Sequence, residues 1–576
     1  MRGADAVVEM LIRHGVKHIF GVPGDTSMAF HDALRLRQNE ICHVICRDER
    51  DAAYTADAYA RVTGKLGVVE VPSGGGALYV VPGLSEANVS NIPLLCIASE
   101  INMSSEETNA LTDCNQEQLL AAVTKWNNKL KNTSLIPHMM RKAVRKSLTG
   151  TPGVTALSFP ENVLRDEYKG SSENLYATCG IERKDSFRSA PTATDVEAFL
   201  GLLNEAEKPV VIAGGGVHLS YAYQELNEFV EKYATPLVSS LDGKGGISEY
   251  SPYSLGTIGS NGGSTEANET TAHADLLIVL GCKMDNVTTM GKKVIPPNAK
   301  IIQVDISDDV LSNNLLADLP IMADIKEVLK AVNEQYDGTM DYAARHAEWC
   351  AYAKEQVEAK FARVKAEQQR QSSKVTAARL FSALEQQTDE NTIFVGDAGT
   401  PTPYVASYVR IKKAGRKSIL PRGHGALGFA IGAALGVSIG QPDATVVATF
   451  GDASFGMAMC EIETIKRLGR PIVLVNLQND CYGWIKTIQR LYYNENYFGV
   501  DFSPIDAVKI AEGFGIAARH VYNNDEVDEA VAWALAQKAP VLLNCLIEPI
   551  TDFVPPVAQW EIDAGKPADQ REKLVY

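Results

Sequence analysis

The chain contains 576 residues, a length that predicts about three domains. Its composition, 45% hydrophobic, 7% aromatic and 22% charged, is typical of a globular protein that forms several cores. The net charge of −16, without lysine- or arginine-rich runs, argues against nucleic acid as a partner. No apolar stretch approaches the roughly 18 residues that a membrane span needs, and the start runs straight into a helix pattern, so we expect no membrane partner and a cytoplasmic location.

The first part of the chain, residues 1–184, has the pattern of a parallel α/β domain. Strands alternate with helices, which is typical of a doubly wound sheet. The predicted strands cover residues 16–22, 41–46, 66–71 and 94–98. The second of them is followed by Glu49, which opens a helix. The helix dipole and a pair with a neighbouring arginine would be enough to explain Glu49 if it stood alone.

A second α/β domain is predicted over residues 193–340, after a polar linker at 185–192. Its strands cover residues 210–213, 276–280 and 301–304. The first of these leads into Gly214, Gly215 and Gly216, which could suggest a dinucleotide site, but a complete Gly-x-Gly-x-x-Gly motif is missing. Residues 341–374 predict a connector helix, since alanine, glutamate and lysine are good helix formers.

The third predicted α/β domain covers residues 375–548 and is followed by a tail at 549–576. A strand at 392–395 opens it, and a β-α-β unit follows, with strands at 446–450 and 472–477. Polar residues follow both strands of that unit. Asp452 and Asn479 lie 27 residues apart, one crossover length, so we expect them at the same sheet edge. The whole chain is thus predicted to be an α/β protein with three doubly wound parallel sheets.

The residues at this edge suit a metal ion and a phosphate group. Asp452 and Asn479 offer a carboxylate and an amide oxygen, which are ligands that Mg²⁺ prefers. Gly451, Ala453 and Ser454 are small enough to let backbone N–H groups approach a phosphate at a helix start. The alternative is that Asp452 only caps the helix that follows it.

The chain resembles the thiamine-diphosphate-dependent enzymes, in the superfamily of acetolactate synthase and benzaldehyde lyase. Two dispersed motifs carry the resemblance in the expected order: Arg47-Asp48-Glu49 with Ser73-Gly74-Gly75-Gly76, and Gly451-Asp452 with Gln478-Asn479. Residues 107–111 and 124–126 are most similar to the benzaldehyde lyase branch. Gln478 stands where the family carries asparagine, which leaves the inferred ligand Asn479 in place.

The resemblance implies a site for thiamine diphosphate and Mg²⁺. Asp452, Asn479 and the backbone carbonyl of Cys481 would hold Mg²⁺. Glu49 would hydrogen-bond the aminopyrimidine ring and start the proton relay that makes the C2 ylid. The other implied cofactor-binding residues are Gly399, Thr400, Gly425, Leu427, Gly451, Ala453, Ser454 and Tyr482. It also implies a homo-oligomer, a dimer or tetramer, with each site between subunits.

Two residues are predicted on the substrate side. Gln116 matches a glutamine that faces substrate in relatives, and a polar residue at a helix start is the alternative. His424 can act as an acid or a base, and a structural histidine is the alternative. Thr26 stands where some lyases and decarboxylases carry a histidine, so their proton shuttle is not expected. Leu427, the implied cofactor wedge, is also compatible with plain core packing.

The function implied by the resemblance is making or breaking a C–C bond next to a carbonyl. The enzyme would be a carboligase or lyase that acts on small 2-keto acids, acyloins or aldehydes. Residues 484–488 lack the Arg and Trp pattern with which true acetolactate synthases select a second 2-keto acid, so 2-keto acid decarboxylation stays open. A flavin-dependent oxidase and a non-catalytic cofactor-binding subunit are further alternatives. FAD is disfavoured, since residues 259–262 and 283–286 depart from the FAD-contacting segments of those synthases.

Overall fold

The computed structural model describes residues 1–176 and 188–573. They form three six-stranded parallel sheets with interleaved helices, which confirms the predicted α/β class. The chain divides into two compact units. The first is Met1–Phe187, Pro421–Asp443 and Gly456–Ile472, and the second is Arg188–Leu420, Ala444–Phe455 and Val473–Tyr576. The boundaries 1–184, 193–340, 341–374, 375–548 and 549–576 stay predictions, and residues 184–187, at the first of them, lie outside the described residues.

The first sheet belongs to the first unit. Its strands are β1 His18–Gly21, β2 Cys42–Ile45, β3 Gly67–Val71, β4 Leu94–Glu100, β5 Trp126–Lys129 and β6 Val154–Pro160. The helices of this part are α1 Gly3–Arg13, α2 Met28–Leu36, α3 Glu49–Thr63, α4 Gly75–Tyr79, α5 Val81–Val89, α6 Gln116–Ala121, α7 Ile136–Leu148, α8 Glu161–Arg165 and α9 Ser172–Tyr176. The strand order is β2-β1-β3-β4-β6-β5, so the winding direction reverses between β1 and β3. Ligands bind at the carboxyl ends of strands at such a reversal.

The second sheet belongs to the second unit. Its strands are β7 Pro209–Ala213, β8 Leu237–Ser239, β9 Ser254–Thr257, β10 Leu276–Leu280, β11 Lys300–Asp305 and β12 Leu319–Met322, in the order β12-β11-β10-β7-β8-β9. The helices are α10 Ala193–Glu205, α11 Gly216–Ser220, α12 Tyr223–Lys232, α13 Thr265–Ala272 and α14 Ile325–Glu334. Two helices, α15 Tyr342–Arg345 and α16 Ala347–Gln368, occupy the predicted connector.

The third sheet contains the β-α-β unit predicted from the sequence. Its strands are β13 Ile393–Gly396, β14 Ser418–Ile419, β15 Val446–Gly451, β16 Ile472–Gln478, β17 Ala517–Val521 and β18 Val541–Leu546. The helices are α17 Ala377–Gln387, α18 Pro401–Tyr408, α19 Phe429–Gly440, α20 Asp452–Ala458, α21 Ile462–Arg467, α22 Gly483–Tyr492, α23 Ala507–Gly513, α24 Val527–Leu535 and α25 Ala558–Ala564. The order β14-β13-β15-β16-β18-β17 puts the reversal between β13 and β15. Short 3-10 helices cover Asp25–Ser27, Met103–Ser105, Thr133–Leu135, Met459–Glu461, Asn524–Glu526 and Ala568–Gln570.

Helix α19 crosses α3 at very short range within the first unit. Glycines at every fourth position leave one face of α19 without side chains. A Cβ on Gly432 would lie 2.9 Å from the carbonyl oxygen of Asp51, and one on Gly436 would lie 2.1 Å from that of Thr55. The hydroxyl of Thr55 donates to the carbonyl of Gly432 at 2.9 Å. This crossing fixes the helix that begins at Glu49.

The nine described cysteines are all free thiols. Five of them are buried: Cys46, Cys96, Cys282, Cys481 and Cys545. Within residues 1–176 and 188–573, no helix is both long enough and apolar enough to cross a membrane.

Candidate active site

Glu49 lies in the first turn of α3, directly beyond the carboxyl end of β2. The preceding Asp48 caps the helix by accepting the backbone N–H of Arg50 at 2.8 Å. Glu49 is 9% exposed, and burial raises the pKa of its carboxyl group. Among the described residues no lysine or arginine pairs with Glu49, so ion pairing does not account for it. A Cβ on Gly76 would lie 3.1 Å from Oε1 of Glu49, so the glycine leaves this carboxylate uncrowded.

A network of hydroxyl groups surrounds the carboxyl ends of β1, β3 and β4. The Thr26 hydroxyl lies 3.2 Å from that of Ser73 and 2.8 Å from that of Ser99. The Ser73 hydroxyl lies 2.7 Å from that of Thr112. Gln116 is fully buried; its amide donates to the carbonyl of Ser99 at 3.0 Å, whereas its Oε1 has no hydrogen-bond partner. Sequence reasoning missed Ser99 and Thr112. The available signal for Ser99 was a hydroxyl residue at a strand end, whereas Thr112 lies in a long loop and had no such signal.

His424 lies in the turn that leads to α19, and Glu86 holds this turn. Both oxygens of the fully buried Glu86 carboxylate accept backbone N–H groups, from Gly423 at 2.7 Å and from His424 at 2.8 Å. The exposed His424 side chain lies with Nε2 2.7 Å from the hydroxyl of Ser85. The backbone of this turn is therefore fixed while the imidazole stays accessible. Sequence reasoning missed Glu86, because nothing near it in the chain marks this role.

Gly425 and Leu427 follow His424 in the same turn. Gly425 has a φ of +63°, a left-handed conformation that glycine adopts without strain. Its carbonyl lies in an exposed segment of the first unit. Leu427 is only half-buried, so core packing does not account for all of its apolar surface.

Asp452 follows β15 in the second unit and begins α20. Its carboxylate is 5% exposed and accepts three backbone N–H groups, from Asn479 at 3.1 Å, Asp480 at 2.5 Å and Ala453 at 3.0 Å. Burial nevertheless raises its pKa to about 6. Within the described ranges no lysine, arginine or histidine forms an ion pair with it. A buried carboxylate without a positive partner is a strong ligand for a cation.

The turn after β16 places further oxygen atoms that can bind a metal ion close to Asp452. The Cys481 thiol lies 3.4 Å from Oδ1 of Asn479, and Cys481 is buried. A Cβ on Gly483 would lie 3.1 Å from the Asn479 amide nitrogen, so the glycine gives this side chain room. Mg²⁺ takes oxygen ligands, and a carboxylate, an amide oxygen and the backbone carbonyl of Cys481 are of that type. These residues therefore fit Mg²⁺.

A hydrogen bond joins the loop after β13 to the first turn of α20, which directly follows β15, across the reversal in the third sheet. Asp397, fully buried, accepts the hydroxyl of Ser454 and the backbone N–H of Ala398, both at 2.8 Å. Gly399 follows with a φ of +88°, and Thr400 precedes the first residue of α18. Backbone N–H groups of Gly399 and Thr400, just before α18, and those at the start of α20 suit a phosphate group. Sequence reasoning did not select Asp397, although it directly follows a strand.

Three further predicted cofactor-binding residues lie at the ends of strands of this sheet: Gly451 ends β15, Ala453 lies in the first turn of α20, and Tyr482 lies in the turn after β16. A Cβ on Gly451 would meet no protein atom within 4 Å, so this glycine faces open space. Ala453 is half-buried beside it. The backbone N–H of Tyr482 donates to the carbonyl of Val500 at 2.8 Å, and its ring packs edge-on against Phe502. Small residues and open space at this edge leave room for a diphosphate.

Known families match the chain along most of its length. The models "Thiamine pyrophosphate enzyme, N-terminal TPP binding domain", "central domain" and "C-terminal TPP binding domain" match residues 1–119, 196–332 and 397–545. The "Acetolactate synthase large subunit" of Buchnera aphidicola subsp. Schizaphis graminum (strain Sg) is 30% identical over 539 residues, 93% of this chain and 92% of the relative. The "Acetolactate synthase isozyme 3 large subunit" of Escherichia coli (strain K12) is 30% identical over 544 residues, with the same coverage. The "Probable acetolactate synthase large subunit" of Methanococcus aeolicus is 29% identical over 574 residues, which are 97% of this chain and 94% of the relative. The chain therefore belongs to the thiamine pyrophosphate enzyme family and is of the acetolactate synthase-like type.

Proposed function

We propose that this protein uses thiamine diphosphate and Mg²⁺ to make or break a C–C bond in small 2-keto acids, acyloins or aldehydes. The buried Asp452 carboxylate beside Asn479, which lacks a positive partner among the described residues, is the observation that carries this function. It is the ligand that a divalent cation with a diphosphate requires. The relatives named acetolactate synthase support the type of reaction.

In this proposal, Asp452, Asn479 and the Cys481 carbonyl hold the metal ion. The diphosphate is held by residues from three neighbouring segments: the loop after β13, the junction of β15 with α20, and the turn after β16. These residues are Gly399, Thr400, Gly451, Ala453, Ser454 and Tyr482. The hydrogen bond between Asp397 and Ser454 supports this assignment, because it fixes the loop after β13 to the start of α20. Preformed backbone donors bind an anion without having to order a loop first.

Three groups contact the ring portion of the cofactor in this proposal: the carboxyl group of Glu49, the backbone carbonyl of Gly425 and the side chain of Leu427. When bound, thiamine diphosphate supplies a nucleophilic carbon and then an electron sink for the donor's carbonyl carbon. Because burial raises the pKa of Glu49, its carboxyl group holds a proton more readily than an exposed glutamate does. That property suits a group that exchanges a proton with a ring nitrogen. The half-buried Leu427 offers apolar surface, and the Gly425 carbonyl offers an acceptor.

Gln116 and His424 act on the substrate side of the proposed site. The buried Oε1 of Gln116 is an unused acceptor, so a substrate hydroxyl can donate to it. His424 is accessible and its Nε2 is hydrogen-bonded to Ser85, which orients the ring for acid or base work. Thr26 offers a hydroxyl rather than an imidazole at its position. We include in the proposal a cytoplasmic homo-oligomer, a dimer or tetramer in which each site draws on two subunits, as the family resemblance implies.

A donor and acceptor panel tests the function. Purified protein with thiamine diphosphate and Mg²⁺ receives pyruvate alone or pyruvate with an aldehyde, and products are identified by mass spectrometry. We expect a hydroxyketone or acetohydroxy acid that carries carbon from both partners. Glu49→Gln should lower the turnover about 100-fold or more, as loss of a general acid–base group does. Glu117→Gln, at an exposed glutamate of the same unit, is the matched control and should turn over like the wild type.

Three results would redirect the proposal. Release of CO₂ and free aldehyde without any ligated product would identify a 2-keto acid decarboxylase. A yellow protein with a flavin spectrum would point to an oxidase. Absence of turnover with every donor, despite bound cofactor, would leave a non-catalytic cofactor-binding subunit.

A further inference from the structure

Three side chains outside the proposed active site converge on one point of the first unit. They are His31 on α2, His43 on β2 and Glu70 on β3, here called the His31–His43–Glu70 cluster. Nε2 of His31 lies 2.9 Å from Oε1 of Glu70, and Nε2 of His43 lies 3.0 Å from the same oxygen. One ligand-type atom from each residue lies within 4.8 Å of the other two.

The register of the first sheet explains how two of these side chains meet. Strand β1 lies between β2 and β3, and it pairs Ile19 with His43 and Gly21 with Glu70. Paired residues, and residues two apart on a strand, point to the same face of a sheet. His43 and Glu70 therefore project from one face and reach towards each other across β1.

Gly21 is what allows this contact across the middle strand. Strands on either side of a third lie about 9.6 Å apart, so the two side chains must extend over β1 to touch. A Cβ on Gly21 would lie 2.7 Å from both Cγ and Oε1 of Glu70. Any side chain at this position would block the approach. A glycine here thus opens the space in which the cluster forms.

Helix α2 covers this face and supplies the third member. Phe30 and Leu34 of α2 pack in the same hydrophobic core as Ile19 of β1 and Val68 of β3. The packing places His31 of the same helix over the edge of that core. The cluster is therefore built on three elements, each held by the core, and it does not depend on a loop.

The cluster combines a buried anion with two partly accessible nitrogen ligands. Glu70 is 1% exposed, whereas the His31 and His43 side chains are 19% and 11% exposed, so both rings reach the surface while the carboxylate does not. Among the described residues no lysine or arginine pairs with Glu70. A buried carboxylate requires compensation by hydrogen bonds, a cation or a metal ion.

We propose that the His31–His43–Glu70 cluster binds a divalent transition-metal ion, with Zn²⁺ as the best match. Two imidazole nitrogens and one carboxylate oxygen form a common three-residue zinc ligand set, which leaves a fourth position for water. Ligand atoms about 2.0–2.2 Å from one ion, at angles of about 90–110°, lie roughly 2.9–3.5 Å apart. The observed nitrogen–oxygen separations of 2.9 and 3.0 Å fall at the short end of this range. Mg²⁺ and Ca²⁺ prefer oxygen ligands and are excluded by the two imidazoles.

Metal binding replaces hydrogen bonds that exist without the ion. Without metal, both rings carry hydrogen on Nε2 and donate to Glu70. In the metal-bound form each ring carries its hydrogen on Nδ1, and Nε2 donates its lone pair to the ion. The ion then ties β2, β3 and α2 together. Since β2 leads into Glu49 and β3 leads into Ser73, the ion would brace the strands that carry this part of the proposed active site.

Metal titration of the full-length protein tests the site. Protein freed of metal by a chelator, then supplied with thiamine diphosphate and excess Mg²⁺, is titrated with Zn²⁺ or Co²⁺. We expect one tightly bound ion per chain by elemental analysis, visible Co²⁺ absorption typical of nitrogen and oxygen ligands, and a higher unfolding temperature with Zn²⁺. His31→Gln keeps an N–H donor for Glu70 but removes the ligand nitrogen, and it should weaken Zn²⁺ binding about 100-fold or more.

Controls separate this site from chance binding. Cys42→Ser removes an exposed thiol next to His43 on β2, and His138→Ala removes an exposed histidine of the same unit; both should bind Zn²⁺ like the wild type. Stoichiometric Zn²⁺ that persists in the His31→Gln, His43→Gln double variant would place the ion elsewhere and overturn the proposal. Failure of the folded wild type to bind Zn²⁺ or Co²⁺ would also overturn the proposal. The cluster would then be only a buried carboxylate that accepts hydrogen bonds from two histidines.

Discussion

Replacing Gly436 by alanine probes the helix crossing that positions Glu49. The new Cβ would lie 2.1 Å from the carbonyl oxygen of Thr55, 2.9 Å from its carbonyl carbon and 3.0 Å from the backbone nitrogen of Tyr59. All three are backbone atoms, which cannot rotate away as a side chain can. To restore an ordinary contact, α19 and α3 must move apart by about 1 Å.

The cost of this separation follows from three contributions. Forcing a methyl group into a packed contact costs about 1–3 kcal/mol, and backbone neighbours place this case near the upper value. The nearby hydrogen bond from Thr55 to Gly432, worth about 1 kcal/mol, is stretched. The higher helix propensity of alanine stabilises the folded state by about 1 kcal/mol and offsets part of this loss. We therefore expect a net loss of about 2–3 kcal/mol in the free energy of unfolding.

Urea denaturation followed by circular dichroism measures this loss, and turnover measures its effect on the α3 N-terminus. The matched control is Gly201→Ala on α10, where a Cβ meets no atom within 4 Å. That variant should be unchanged or gain up to about 1 kcal/mol from helix propensity. If Gly436→Ala proves as stable as Gly201→Ala, the close crossing of α19 and α3 is wrong.

Two further predictions concern charged side chains of the second unit, the partly buried Glu561 and the buried Lys244. Burial raises the pKa of Glu561 to about 7, although the nearby Arg363 acts to lower it. The folded chain therefore holds this proton more tightly than the unfolded chain does. As a result, the free energy of unfolding falls as the pH rises from about 4.5 through 7. Glu561→Gln should then be more stable than the wild type by about 2–3 kcal/mol at pH 8, and should lose this advantage near pH 5. Equal unfolding temperatures of the variant and the wild type at both pH values would contradict this prediction. Lys244, 2% exposed, pairs with Glu249 at 2.7 Å, so Lys244→Met should cost about 3–5 kcal/mol by leaving a buried carboxylate unpaired. Lys244→Met with Glu249→Leu should recover most of that loss in the same melts, and no recovery would refute the pairing.

The sequence allowed the sheets and part of the site to be predicted, because those features have local signatures. Alternation of apolar runs and helix patterns identified ten of the eighteen described strands, and the ends of these ten shift by no more than two residues in the structure. The other eight strands were not predicted, and several of them are short or only partly buried. Crossover spacing correctly predicted that Asp452 and Asn479 lie together. Glu49 was expected to open a helix, and α3 begins there.

The remaining features depend on strand order and register, which no local pattern encodes. Asp397 and Ser454 meet only because β13 and β15 are neighbours. Glu86 holds a turn more than 300 residues further along the chain. Gln116 begins a helix, which was the alternative to its predicted substrate-facing role, but no local pattern predicted its complete burial beside Ser99.

The most direct measurement is the rate of deuterium exchange at C2 of thiamine diphosphate bound to the protein with Mg²⁺. If Glu49 moves the proton that activates the cofactor, the wild type should exchange fast, and Glu49→Gln about 100-fold or more slowly while still binding the cofactor. Exchange at the wild-type rate in a Glu49→Gln protein with full cofactor occupancy would contradict the assignment of Glu49.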